Sequence, residues 1–547
     1  MPQETPARIA RKLARRGYNA DREAVTLLAR APDLDAAIEA ATAAAPADSL
    51  TISSGHVRKA LTEADAGRRG EEKLDVGDPA ETAGASSPGT PARTSGERPA
   101  RSPTGSPGDT PDRSPPVSGG GDSPAPGGDG GVVALETEGS AEKGIDPPPA
   151  VVHGDMTGAS TGTGTYEDFV AVFRDRYRQL ADMLRPRINH RPTDTIADMT
   201  GGSDAAIVGL VTDVRTTAGG HWLIELEDTT GTFPCLVMKD RDFAQRVREL
   251  LSDECIAVEG TLADDGGILF VDAMHFPDVP RTFEPSTADR EVAAALVSDV
   301  HVGSQEFMAD AWREFAEWLH SGEAAHVEYL LIAGDMVEGV GVYPGQDEEL
   351  DIVDIYDQYR EFSEYLKLVP GDMEIVMIPG NHDAVRLAEP QPGFDEELRD
   401  IMAAHDARIV SNPATVDLEG VSILMYHGVS LDEVIAELPD EAASYDEPHR
   451  AMYRLLQKRH VAPQYGGRTR LAPEAEDHLV IDEVPDVFHA GHVHKTGYGQ
   501  YHNVLTINSG CWQAQTAFQR SVNIDPDAGR APIVDLSTLD LKVRKFV

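Results

Sequence analysis

The sequence predicts a C-terminal α/β domain, a five-stranded β-barrel before it, and a small N-terminal helical module on a long disordered tether. Three observations predict this arrangement. From Glu291 onward, short apolar runs alternate with helical stretches. Between residues 203 and 277, five β-type runs are punctuated by turns and interrupted by one helical stretch. Between Tyr18 and Tyr166 there is no Phe, Trp or Tyr, so that part of the chain lacks the side chains that dominate cores.

Residues 1–65 carry brief helical patterns, Ile9 and Leu13 and then Val25, Leu27 and Leu28. They read as a small helical module, for docking to a partner or for spacing. Residues 66–165 are mostly Gly, Pro, Ser, Thr and Asp. Such text cannot bury enough apolar area to offset its ordering entropy, which predicts a disordered linker. Order resumes with a connecting helix in 166–200. Phe169, Phe173, Tyr177, Leu180 and Leu184 fall on one helical stripe, the pattern of a core face rather than a cofactor box.

A second domain is expected over 201–285. Its runs are Ala206–Thr212, Trp222–Glu227, Phe233–Met238, Ile256–Leu262 and Ile268–Met274, with a helix at Phe243–Leu251 between the third and fourth. Five strands in that order are those of an OB-fold barrel. OB folds bind single strands or protein partners, and the fold alone does not choose between them. The third domain, 286–547, contains the apolar runs Val292–Val297, Leu330–Ala333, Ile375–Ile378, Val421–Tyr426, Val487–Phe488 and Val504–Ile507. Each leads into a polar, Gly-containing turn, so the ligand site is expected at the strand ends.

Composition sets limits on function. The 547 residues include 93 Asp+Glu and 48 Lys+Arg, a net charge of −45. Only 10 of the basic residues are lysine, and the carboxylates are dispersed along the chain. That pattern suits a cytoplasm of molar salt and implies a halophilic, archaeal host. At 1 M the Debye length is only ~3 Å, so the acidity does not exclude a nucleic-acid substrate. The three cysteines, Cys235, Cys255 and Cys511, form no CxxC pair. This excludes a disulfide framework and a Cys-based zinc finger, and it fits a reducing compartment. No signal peptide or apolar run near ~18 residues is visible, so a soluble, cytoplasmic protein with no membrane partner is expected.

Five strand-end turns carry metal-binding residue types. They are Asp299-Val300-His301, Gly334-Asp335, Gly380-Asn381-His382-Asp383, His427, and Gly491-His492-Val493-His494. A DxH or a GD dipeptide is weak alone. GNHD and GHxH are stronger, because glycine lets the backbone turn sharply and present the next side chain. Five such turns in series, each after a strand, form a specific signal. Oxygen and imidazole donors without thiolate suit Mn²⁺, Fe²⁺ or Zn²⁺.

This ordered set resembles the calcineurin-like metallophosphoesterase superfamily, whose fold implies a β-sandwich flanked by helices. The resemblance implies two divalent cations, manganese first, with iron, zinc and magnesium as alternatives. Asp299, His301, Asp335 and His494 would hold metal one. Asp335, Asn381, His427 and His492 would hold metal two, with Asp335 bridging. His382 would be the free imidazole near the scissile phosphate, and Asp383 would orient it. Purple acid phosphatases carry an iron-binding tyrosine three residues after the bridging Asp; here Glu338 stands there, which disfavours a redox iron pair.

The longer strings GDMVEGVGVYPGQ (334–346), SDVHVGSQEF (298–307), VIDEVPDVFHAGHVHKTG (480–497) and INSGCWQAQTAFQ (507–519) resemble the archaeal DNA polymerase D small-subunit family over about residues 166–547. That resemblance implies a 3′→5′ exonuclease that proofreads for a separate large catalytic subunit. DNA single strands and 3′ ends would be substrate, and the sliding clamp is a further candidate partner. The alternatives are a catalytically silent structural subunit and a stand-alone repair nuclease or phosphoesterase. Arg468 and Arg470, in a Gly-rich loop, are candidate phosphate contacts beside the simpler reading of a solvated loop. His489, just before GHVH, reads first as a packed strand-end histidine, with support of the neighbouring ligands as the alternative; Cys511 reads as a small core residue, and the acidic run 431–447 as solvated surface.

Overall fold

The computed structural model describes residues 147–159, 162–343, 345–403, 406–521 and 524–546, with scattered residues before position 60. The chain divides into two units, 1–128 and 129–547. In the first, short helical pieces at 24, 27–28, 37–38, 40–42 and 57–59 accompany a parallel pair of two-residue strands, Asn19–Ala20 and Thr51–Ile52. Ile9, Leu13, Val25 and most of the expected linker lie outside the described residues.

The linker ends earlier than residue 165. From Pro147 the backbone is described, and strand β1 (Val151–His153) pairs antiparallel with β11 (Ala414–Leu418). Three residues paired through their backbones leave no periodic trace in the sequence. Helix α1 (Tyr166–Leu184) follows the expected stripe: Tyr177, Leu180 and Leu184 pack on Ala206, Val208 and Leu210 of the barrel. Thr165 and Asp168 form its capping box, which satisfies N–H groups at the first turn.

The barrel strands are β2 (Asp204–Thr216), β3 (Trp222–Glu227), β4 (Thr232–Val237), β5 (Cys255–Leu262) and β6 (Leu269–His275). They close in the order β2-β3-β4-β6-β5 and back to β2. β2 is far longer than expected because it serves both neighbours. Its first half pairs with β5 and its second with β3, through an irregularity between Val211 and Asp213. The expected helix Phe243–Leu251 is a six-residue 3₁₀ segment, Ala244–Glu249.

Two six-stranded sheets build the rest. The first has the order β10 (Arg408–Ile409), β9 (Glu374–Ile378), β8 (Val327–Ala333), β7 (Ala293–Val297), β16 (Arg530–Asp535), β17 (Leu541–Lys545). The second has β14 (Thr496–Tyr501), β15 (Val504–Ser509), β13 (Val487–Ala490), β12 (Val421–Tyr426), β11, β1. Their inner faces share one core, in which Leu296, Leu331 and Val376 meet Val416, Ile423, Val487 and Ile507. The outer face of the first sheet packs on α2 (Ala309–Leu319) and α3 (Ile355–Leu366) through Trp312, Phe315 and Phe362. The outer face of the second packs on α4 (Leu431–Glu437) and α5 (Pro448–Lys458). Strands covered on both faces must be apolar at every position, which is why AAALV, LLIA and IVMI read as continuous runs.

β7, β8 and β9 run parallel in one sheet, and β12, β13 and β15 run parallel in the other. Their turns therefore gather at one end. Among the described residues no helix is long and apolar enough to cross a membrane.

Candidate metal centre

Asp299 and His301 follow β7, Asp335 follows β8, and Asn381 and His382 follow β9. His427 follows β12, and His492 and His494 follow β13. The seven expected ligands thus come from both sheets. The backbone is left-handed at Asp299, His301, Asp335, His492 and His494. That conformation is costly for residues with a Cβ and concentrates at functional sites. At Gly380 a Cβ would sit 2.2 Å from Asp335 Oδ1, and at Gly491 it would sit 2.4 Å from Asp299 Oδ2. Only glycine leaves these two carboxylates their room.

Two adjacent clusters gather the expected ligands, Asp299–His301–His494 and Asp335–His427–His492, and a further group, His301–Glu338–His382, shares His301 with the first. In the first, His301 Nε2 lies 3.0 Å from His494 Nε2, and His494 Nε2 lies 3.4 Å from Asp299 Oδ1. In the second, His427 Nε2 lies 3.2 Å from Asp335 Oδ2 and 3.0 Å from Asn381 Oδ1. Asp335 Oδ2 is also 3.9 Å from His301 Nε2, so it reaches toward both clusters. Two ligand arms of about 2.1 Å meeting at 90–109° put their donor atoms roughly 3.0–3.4 Å apart, so the close pairs have the spacing of neighbours around one ion. The oxygen and imidazole donor set, with no thiolate, fits a divalent transition metal.

Burial concentrates charge here. Asp299, His301, Asp335, His427 and His494 are buried, and His492 and Asn381 are partly exposed. Burial opposes ionisation of Asp335, yet His427 and His382 hold it well below the usual carboxylate range. Burial likewise opposes a charged His427, yet the Asp335 and Asp299 carboxylates raise its pKa to about 10. Against the effect of burial, His427 and His494 are both held above the usual histidine pKa by the groups beside them. Their protons balance the buried carboxylates, and a cation can take their place.

His382 is where the sequence expectation needs correcting. Asp383 does not orient it. The Asp383 carboxylate accepts from the Gly380 N–H at 2.8 Å and the Tyr359 hydroxyl at 2.9 Å, bracing the turn itself. Burial and the charge of Asp335 push Asp383 up to about 7. His382 Nδ1 instead meets the Glu338 carbonyl at 2.7 Å, which places its proton on Nδ1 and leaves Nε2 for other partners.

Glu338, marked in the sequence only as standing where purple acid phosphatases carry a tyrosine, is a functional candidate to which no sequence pattern assigns a role. Its carboxylate is buried 2.9 Å from His301 Nδ1 and receives Gln513 Nε2 at 2.7 Å. Although burial works against its charge, His301 holds it down to about 2. A carboxylate behind a ligand histidine fixes the ring and its tautomer. His427 is fixed in the same way, Nδ1 donating to the Ala333 carbonyl at 2.9 Å.

The acidic run 431–447 is only partly a solvated surface. Leu431 and Val434 are core residues of α4, and Asp432 reaches into the cleft, 3.7 Å from His492 Nε2. Arg468 is exposed and lies 3.4 Å from the same Asp432 carboxylate, at the rim. Arg470 is exposed on the strand Arg470–Leu471 and does not line the cleft. His489 and Cys511 are fully buried.

The sequence profile of the B-subunit family of DNA polymerases alpha and epsilon matches residues 294–497, which include every turn of the cluster. The DNA polymerase II small subunit of Halobacterium salinarum is 62% identical over 546 residues, 100% of each chain. That of Archaeoglobus fulgidus is 44% identical over 388 residues, 69% of this chain and 77% of the relative. Among solved structures, one titled as a novel archaeal phosphodiesterase matches 46% of this chain and 99% of its own at 14% identity. Its TM-score of 0.24 is too low to carry an argument.

Proposed function

The chain belongs to the family of archaeal DNA polymerase II small subunits, and on that footing we propose that it carries a two-metal 3′→5′ exonuclease that trims single-stranded or mispaired 3′ DNA ends. DNA synthesis then rests with the large catalytic subunit, its partner. Residues 201–285 serve as an OB-fold module beside a metallophosphoesterase domain over 286–547. Residues 1–65 serve as a tethered docking module.

The observation that carries this reading is the convergence of Asp299, His301, Asp335, Asn381, His427, His492 and His494 from five turns and two sheets into two adjacent clusters, with Asp335 of the second 3.9 Å from His301 of the first. Asp299, His301, Asp335 and His494 would hold one divalent cation; Asp335, Asn381, His427 and His492 would hold the other. When bound, such a pair supplies Lewis-acid activation of water and neutralises charge on the phosphoryl oxygens. His382, its Nδ1–H committed to the Glu338 carbonyl, has Nε2 left to face the leaving 3′ oxygen, and in the imidazolium form Nε2 would give that oxygen a proton. Glu338 keeps the His301 ring turned toward the first cluster. Asp383 keeps the Asn381–His382 turn in place through Gly380.

A nuclease assay in molar KCl tests the reading. With Mn²⁺, the full chain should release mononucleotides from single-stranded and mispaired 3′ ends, and Asp299→Ala should not. Equal activity in Asp299→Ala would overturn the site assignment. Absence of activity in the wild type, with and without the large subunit, would favour a purely structural role.

A further inference from the structure

A line of hydrogen bonds runs inward from Asp299 that the two clusters themselves do not use. Ser298 Oγ lies 2.5 Å from Asp299 Oδ2 and 2.7 Å from Ser509 Oγ, and Ser509 Oγ lies 3.1 Å from His489 Nε2. Ser298 directly follows β7 of one sheet; Ser509 ends β15 and His489 sits on β13, both in the other. All four side chains are buried. The line therefore stitches the two sheets together at the strand ends that present the candidate ligands.

Its direction follows from chemistry. An ionised carboxylate only accepts, so Ser298 donates to Asp299. The Ser298 oxygen at 2.7 Å then accepts from Ser509, whose other acceptor, the Ala490 carbonyl, is farther at 3.3 Å, and Ser509 accepts from His489, whose ring carries its proton on Nε2. Two further facts agree with that tautomer. His489 Nδ1 is buried with no hydrogen-bond partner, which an unprotonated nitrogen tolerates at less cost than an N–H. Burial also pushes the ring's pKa down to about 3, keeping it neutral. At the far end the His492 N–H reaches both Asp299 oxygens, Oδ2 at 2.9 Å and Oδ1 at 3.1 Å, whereas the Ser298 hydroxyl reaches Oδ2 alone. With Oδ2 so engaged, Oδ1 is the oxygen left beside His494 Nε2.

We propose that His489, Ser509 and Ser298 are positioning residues, a directional relay that locks the Asp299 carboxylate with Oδ1 turned toward the metal-one cluster. The inference rests on the two-metal reading and gives it a residue-level cause. Without the relay the carboxylate can rotate and offer its oxygens to either neighbour, and one metal site weakens while the other does not.

The test measures Mn²⁺ binding to the full-length chain by calorimetry, with electron paramagnetic resonance reporting whether two ions are coupled. Ser298→Ala and Ser509→Ala each remove one hydroxyl at small change in volume. Each should weaken one of two sites about 10–100-fold, as loss of a supporting partner does elsewhere, and convert the coupled spectrum to that of an isolated ion. Ser509→Thr, which keeps the hydroxyl, should restore both. Two unchanged sites in both alanine variants, or a loss in Ser509→Thr equal to that in Ser509→Ala, would overturn the relay. A wild-type chain that binds no Mn²⁺ would instead overturn the two-metal reading beneath it.

Discussion

His427 Nε2 lies 3.2 Å from Asp335 Oδ2, with both side chains sealed from solvent and drawn from different sheets. Without a cation this is a buried ion pair, and its histidine pKa is raised to about 10 by the carboxylates around it, against the effect of burial. A raised pKa stabilises the fold fully below the unfolded value near 6.5 and loses that contribution as pH climbs toward 10. The metal-free protein should therefore melt at progressively lower temperature between about pH 6.5 and 10. Mn²⁺ binding near pH 7.5 should release protons, because the metal takes the neutral ring. Calorimetry in two buffers of different ionisation enthalpy reads that release, and equal heats in both would contradict it.

Replacing Glu338 by alanine removes the carboxylate behind His301 and should weaken Mn²⁺ binding about 10–100-fold. Glu338→Gln should lose less, since its amide oxygen would still sit beside His301 Nδ1. Titration of Mn²⁺ into each variant decides the matter. Identical affinities in wild type and Glu338→Ala would remove Glu338 from the site.

His382 plays a different part from the ligands. His382→Ala should lower kcat for 3′-end hydrolysis about 10²–10⁴-fold, the usual worth of a general acid, while both Mn²⁺ ions remain bound. Loss of metal in this variant would mean that His382 is a ligand rather than a proton donor.

Away from the centre, Lys458 on α5 and Glu254 at the start of β5 pair at 2.6 Å with neither exposed, joining the barrel to the larger domain. Lys458→Met strands a buried carboxylate and should cost about 3–5 kcal/mol of stability. Lys458→Met with Glu254→Gln should recover most of it. Because the pair is shielded, the loss should persist in molar salt, and denaturant titrations at two KCl concentrations would expose any screening.

The ligand turns are legible in the sequence because each combines a doubly buried strand with a glycine and a metal-binding side chain. AGD, PGNHD and AGHVH state position and chemistry together. Glu338 and Asp432 are not legible, since neither follows a strand directly. Glu338 reaches His301 through the loop after Asp335, and Asp432 faces the cleft from a helix whose acidic text resembles plain surface. Asp383 shows the limit of reading by adjacency: next to His382 in sequence, it turns away to Gly380 and Tyr359. The barrel strands show through their alternation, but the length of β2 follows from closing the barrel, which no local pattern encodes. β1 hides inside Gly- and Pro-rich text because its pairing is a property of the backbone.

The number of Mn²⁺ ions held by the full-length chain in molar KCl tests the central claim most directly, compared between wild type and Asp335→Ala. Two ions in the wild type and loss of tight binding at both sites in the variant are expected, since in the proposed site the Asp335 carboxylate would serve both ions. A wild type without metal, or an Asp335→Ala chain that still holds two ions tightly, would contradict the account.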